Sequence, residues 1–327
     1  VTVTAPAATR ADPEHASPVI EAHHLTKRYG SVLAVDDLSF TVAAGQVTGF
    51  LGPNGSGKST TMRMIVGLDA PSAGQVTVAG RDYGQLRFPL HQVGALLDAG
   101  AVHPGRTARS HLSWLAESNQ IPRRRVEEVL GIVGLTDAAH RRAGELSLGM
   151  GQRLGIAAAL LGDPEILIFD EPINGLDPEG ILWVRRLLRS LAAEGRTVLV
   201  SSHLMTEMAL TADRLIIIGR GRLLATGTVV EFIERSEGHH VHAQSPDAGT
   251  LAGLLRQKGA TVTADGPESL SVTGMESRDV GIIAAQAGLT LYELTTQRAS
   301  LEDAFMELTS EHGEFRAATP NLGESPA

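Results

Sequence analysis

LGPNGSGKSTTMRMIVGL, residues 51 to 68, decides how the chain is read. VTGFL (47–51) is a short apolar run after Gly45 and reads as a buried strand. GPNGSGKST then fills every position of the G-x-x-x-x-G-K-[ST] pattern, and TTMRMIVGL reads as a helix ending near Gly67. Strand, glycine-rich turn and helix in that order are the context the pattern needs. Gly52, Gly55 and Gly57, with Pro53, Asn54 and Ser56 between them, let the backbone turn tightly and aim N–H groups inward at phosphates. The new helix adds the positive end of its dipole. Lys58 brings a mobile charge for the β- and γ-phosphates, Ser59 a hydroxyl for Mg²⁺, and Thr60 supports the α-phosphate side. The segment reads as a nucleotide-phosphate site. Kinases, switches, motors and pumps all use such loops, so the rest of the chain must choose among them.

A second anchor for the loop should be a strand that ends in acids. EILIFDEP (165–172) supplies it: Ile166 to Phe169 reads as a buried strand, and Asp170 and Glu171 emerge at its C-terminal edge, where α/β sheets hold ligands. In that setting Asp170 would hold the Mg²⁺ shell and Glu171 would polarise the attacking water as general base. The plainer reading is two surface acids in a turn before Pro172. Their pairing with a phosphate loop weighs against it.

Composition narrows the classes. Of 327 residues, 43% are hydrophobic and 20% charged, as in ordinary globular proteins, so one large domain or two smaller ones are expected. No apolar run approaches the roughly 18 residues that span a bilayer, so the chain is not expected to cross a membrane by itself. The N-terminal VTVTAPAATRADPEHASP lacks the basic start and apolar stretch of a signal peptide and reads as a disordered tail over residues 1 to 18. With no cysteine, disulfides, thiol catalysis and thiolate metal sites are excluded, which fits a cytoplasmic location. A net charge of −9 argues against general nucleic-acid binding. Arg123-Arg124-Arg125 and Arg141-Arg142 read as solvated helix faces.

Between the loop and the acids lies GELSLGMGQRLGIAAALLGDP (144–164). Ser147, Gly149 and Gly151 begin a turn, and Leu154 to Leu161 runs on as a helix, so a second anion site is expected at that N-terminus. LSLGMGQR, with GPNGSGKST upstream and ILIFDEP downstream, resembles the signature of ATP-binding cassette (ABC) ATPases, usually L-S-G-G-Q. Leu146, Ser147 and Gly149 are kept, and Leu148 and Met150 replace the usual residues. NGLDPEG (174–180) resembles the loop through which two such ATPases touch, with Asp177 its acid. Asp177 also reads as the N-cap of a helix from 178 to 194. TVLVSSH (197–203) reads as a strand ending in His203, which matches the family's switch histidine on the γ-phosphate. A lone histidine there is otherwise a satisfied core residue. Tyr29, in LTKRYGS, sits where the family stacks an aromatic ring on adenine. The resemblance covers residues 19 to 228. One departure is Asp98, in VGALLDAG, where the family usually carries a Gln that binds Mg²⁺. The wording GALLD, with SSHLMTEM, is similar to exporters of the bacitracin and daunorubicin resistance type.

The resemblance implies a P-loop NTPase fold of the α/β class, with a mixed sheet core, antiparallel strands and a helical subdomain at about 98–160. It implies ATP and Mg²⁺ as ligands. Two copies would sandwich two ATPs, each held by the phosphate loop of one chain and the Ser147–Gly149 turn of the other. A separate integral membrane permease would supply the path, with the chain peripheral on the cytoplasmic face and a hydrophobic drug, antibiotic or lipid as cargo. The alternatives are a soluble ABC ATPase acting on ribosomes or nucleic acid, and a nucleotide-dependent switch with little turnover. After the RLIIIGRGRLLATG hairpin (214–227) the pattern changes to β, α, β, β, α, β and a helix in SLEDAFMELTS, which fits a small ferredoxin-like accessory domain over 229 to 315. His239, His240 and His242 read as surface residues rather than a metal site. Residues 316 to 327 read as a disordered tail.

Overall fold

The computed structural model describes residues 18–235, 240–297, 301–303 and 305–306. The two tails and His239 lie outside them, and so does most of the helix expected in SLEDAFMELTS. The chain divides into two units, one up to Thr228 and one from Val229.

The first unit is built on two sheets. Strands β1 (Pro18–Tyr29) and β2 (Val32–Ala43) form an antiparallel hairpin, joined on the β1 side by β4 (Ala73–Val78). The second sheet has the order β5-β6-β7-β3-β8-β9, comprising β5 (Val93–Leu96), β6 (Ile166–Phe169), β7 (Thr197–Ser202), β3 (Val47–Leu51), β8 (Arg214–Gly219) and β9 (Arg222–Thr228). Its first five strands are parallel and β9 closes the edge antiparallel. β3, β6 and β7 are buried at every position, as expected of parallel strands covered on both faces.

One face of this sheet packs against the three-stranded sheet. Ile20, Leu25, Leu38 and Phe40 meet Phe50, Ile168, Leu199 and Ile216 in one core, to which helix α1 (Lys58–Ile65) adds Met62 and Ile65. Phe40 and Phe50 lie with ring centroids 5.4 Å apart. On the other elements, helices α2 (Ala108–Ser118), α3 (Arg124–Ile132) and α4 (Leu148–Leu160) pack on one another, and α4 also packs on β5. Helices α5 (Pro178–Ala193) and α6 (Met205–Thr211) lie against β3. Arg125 differs from the solvated reading of its run. Its guanidinium donates to the carbonyls of Leu160 and Leu161, closing the C-terminus of α4, and pairs with Asp163 at 2.9 Å.

The second unit begins with α7 (Val229–Arg235). Strand β10 (His240–Gln244), α8 (Ala248–Gln257), β11 (Thr261–Ala264), β12 (Ser269–Thr273), α9 (Ser277–Gln286) and β13 (Glu293–Gln297) follow. The sheet order is β11-β12-β10-β13, antiparallel throughout, so β12 sits between the two strands that α8 connects. Leu251 and Leu255 of α8, Val280 of α9, and Val241, Leu270 and Val272 of the strands form its core. His240 and His242 occupy alternate positions of β10 and stand opposite Gln297 and Thr295 of β13.

Candidate nucleotide site

Strands β6, β7 and β3 are neighbours and parallel, so the segments leaving their C-terminal ends emerge side by side. Those segments carry Asp170 and Glu171, His203, and the phosphate loop. Three distant stretches of sequence therefore meet at one sheet edge, the place where open α/β sheets hold ligands.

The loop is drawn tightly around its own backbone. Gly55 and Gly57 have φ of 81° and 100°, the left-handed region open to glycine. A Cβ on Gly52 would lie 2.5 Å from Ser56 Oγ. The N-cap of α1 is Gly57, so no side chain accepts from the first-turn N–H groups. Ser56 is buried and its Oγ has no hydrogen-bond partner among the described residues. An uncapped helix start beside an unpartnered buried hydroxyl fits an anion such as a polyphosphate. Lys58 is buried beneath, and its Nζ donates to Gly52 O at 2.7 Å and Pro53 O at 3.2 Å. Burial pushes its pKa down, while Glu171 and then Asp170 hold it up.

Glu171 joins the three segments. One carboxylate oxygen lies 3.7 Å from Lys58 Nζ, and the other hydrogen-bonds His203 Nδ1 at 2.9 Å. Its backbone has φ of 49°, an uncommon conformation for a residue with a side chain. Ser201 fixes that backbone: its hydroxyl donates to Asp170 Oδ1 at 2.5 Å and accepts from Glu171 N at 2.9 Å. Ser201 has no place in the sequence reading. Its signal was a break in the apolar run of TVLVSSH, two polar residues at a strand end.

The other candidate residues bond within their own turns. Asp98 accepts from Gly100 N at 2.7 Å, Ser147 from Met150 N at 3.3 Å, and Asp177 from Gly180 N at 2.8 Å. Asp177 is the N-cap of α5, as its sequence context indicated. The turn expected over Ser147 to Gly151 is shorter than read. Ser147 already caps α4, so Gly149 and Gly151 lie inside the helix. The Ser147 turn packs on the loop before Asp177. A Cβ on Gly149 would stand 3.2 Å from Leu176, and one on Gly175 would stand 2.0 Å from Leu148, so Leu148 lies over a bare backbone. At the far side, the Tyr29 hydroxyl donates to Asp69 at 2.7 Å, and Lys27 stands 5.0 Å from the ring centroid.

Comparison with known proteins shows the family of the chain. The family described as "ABC transporter" matches residues 35–174. An uncharacterised ABC transporter ATP-binding protein of Bacillus subtilis, YhcH, is 37% identical over 297 residues, 90% of this chain and 96% of that one. The chain belongs to the ATP-binding proteins of ABC transporters. The bacitracin transport ATP-binding protein BcrA of Bacillus licheniformis is 36% identical over 89% of this chain and 97% of its own. The Nod factor export ATP-binding protein I of Rhizobium leguminosarum is 36% identical over 90% and 96%. Among solved structures, the dimeric cassette MJ0796 aligns with a TM-score of 0.60 at 26% identity, over 64% of this chain and 98% of that one. The second unit matches a domain of unknown function, DUF8746, over residues 239–302. As an ABC ATPase the chain binds and hydrolyses ATP. Among the described residues no helix is long and apolar enough to cross a membrane.

Proposed function

We propose that this ABC ATPase drives export through a separate membrane permease. Kinship with ATP-binding proteins of bacitracin transport and Nod factor export carries the export reading, and Glu171, held between Lys58 and His203 where β3, β6 and β7 end, supports the hydrolysis that would drive it. In this reading Gly52 to Thr60 wrap the phosphates and Lys58 binds the β- and γ-oxygens. Glu171 accepts a proton from the attacking water, and His203 orients that carboxylate and the γ-phosphate. Ser59, Asp170 and Asp98 are the residues that would hold Mg²⁺, and the ion when bound neutralises charge on the transferring phosphate. Ser201 keeps Asp170 facing the loop.

Ser147, Gly149 and Asp177 have their bonds within their own turns and are exposed or half-exposed. We assign them to the nucleotide of a second copy, so that two chains close over two ATPs. Tyr29 serves as the platform for the adenine. The split strand order of the second unit supports its reading as a ferredoxin-like accessory domain. The chain would work on the cytoplasmic face of the membrane, held there by the permease. Kinship with bacitracin transport and Nod factor export proteins supports the reading of the cargo as a hydrophobic drug, antibiotic or lipid.

The test is a pull-down of Glu171→Gln with ATP from detergent-solubilised native membranes. A stoichiometric multi-span membrane protein is the expected companion. Recovery of ribosomes or soluble proteins alone would replace the exporter reading with a soluble ABC ATPase.

A further inference from the structure

Tyr29 ends β1 and is 44% exposed, yet its ring is tethered. Its hydroxyl donates to Asp69 Oδ2 at 2.7 Å, and the same oxygen accepts from Arg63 Nε at 2.7 Å. Arg63 stands in the last turn of α1, and its carbonyl accepts from the backbone N–H groups of Leu68 and Asp69. Asp69 is thus tied to the phosphate-loop helix through main chain and side chain together. Lys27 covers one face of the ring and is itself fixed by a 2.6 Å hydrogen bond to Ala70 O. The charges agree with this picture. Hydrogen bonding to Arg63 and then to Tyr29 holds the Asp69 carboxyl below the usual range, and hydrogen bonding to Asp69 pushes the Tyr29 phenol up.

We propose that Asp69 is a positioning residue for base recognition, holding the Tyr29 ring at the orientation on which an adenine stacks. The inference rests on Tyr29 being the base platform. Its physical content is that one helix references both ends of the nucleotide. Lys58 and Ser59 begin α1 and face the phosphates, while Arg63, one turn and a half on, sets the platform through Asp69. A ring free to rotate about its side-chain bonds would lose that entropy on each binding event, whereas a tethered ring has already lost it. With Lys27 on one face of a half-exposed ring, an adenine would stack on the other.

The experiment compares ATP with inorganic triphosphate, which has no base, on the full chain by calorimetry, alongside steady-state ATPase kinetics. Asp69→Ala should weaken ATP binding about two- to tenfold, the cost of ordering one side chain on binding. Triphosphate affinity should be unchanged, and the KM for ATP should rise in step with the loss of ATP affinity. Tyr29→Phe, which removes a single oxygen and keeps the ring, should match it, and the double variant should lose no more than either alone. Equal loss for ATP and triphosphate would mean that Asp69 acts through the helix or the fold, and overturns the proposal. Full additivity in the double variant does the same. If Tyr29→Ala weakens ATP while Asp69→Ala and Tyr29→Phe do not, the platform stands and the positioning role falls. If Tyr29→Ala has no effect, the platform reading itself is wrong.

Discussion

Lys58 is a buried ammonium. Its four-carbon stem is packed, its head bonds two loop carbonyls, and Glu171 supplies the nearest anion. Lys58→Ala should reduce ATP hydrolysis by at least about a hundredfold, because a preorganised charge aimed at the transferring phosphate is lost. Phosphate release under saturating ATP measures it, and near-normal turnover would refute the site. Glu171→Gln keeps the shape and the amide can still meet His203, but it cannot take a proton. Turnover should fall about 10² to 10⁴-fold while ATP binding survives. The substitution also removes the leading influence that holds the Lys58 pKa up, so burial then acts with less opposition. The phosphate-loop residues, Asp170, Glu171 and His203 were legible because each is marked by neighbours in the chain. Ser201 and Asp69 were not, since each does its work on a residue 30 or more positions away, at 31 for Asp170 and 40 for Tyr29.

At the scale of elements, α4 and α5 carry the clearest expectations. Gly151 lies inside α4 with a helical backbone, and a Cβ there would meet nothing within 4 Å. Gly151→Ala should therefore stabilise the chain by about 0.5–1 kcal/mol, read from urea unfolding. If the same variant is slower in hydrolysis, the bare surface of the helix is needed by something outside this chain, as the two-copy site requires. A loss of stability would show that the helix is misplaced. Gly175 is the opposite case. Its φ is 72°, and Leu148 already occupies the space a side chain would need, so Gly175→Ala should destabilise the loop before Asp177. Leu148→Ala in that background should recover only the steric part. Between α5 and α6, Arg185 Nη2 and Glu207 form a 2.6 Å ion pair, and Arg185 Nε has no acceptor among the described residues. Glu207→Ala should cost about 1.5–3 kcal/mol, because a largely covered guanidinium is left without its anion. A change below about 0.5 kcal/mol would mean that the pair is screened by solvent. None of these contacts is written in the local pattern. The apolar period places α5, whereas α4 starts earlier than its apolar run at Leu154 because Ser147 caps it.

For the whole molecule, the parallel order of β6, β7 and β3 sets three motif-bearing strand ends side by side. Each motif sits at the end of a strand whose apolar run is unambiguous, and the sheet then brings the ends together. The strand order itself was beyond the sequence, because fully buried runs such as ILIF and TVLV carry no register of their own. Ser147 and Asp177 are bonded within their own turns, as the caps of α4 and α5. Light scattering of Glu171→Gln should show a monomer without nucleotide and a dimer at saturating ATP and Mg²⁺. A monomer under both conditions would exclude a sandwich formed by this chain alone. The double grip on Glu171 has one more consequence, which concerns timing. The carboxylate that is to activate water shares its two oxygens between an ammonium and an imidazole. On the proposed role of Glu171, a triphosphate settling on Lys58 would weaken one of those attachments and free the acid for its work, whereas water entering alone would find it engaged. The ion pair would then be an interlock, in which arrival of the substrate arms the base.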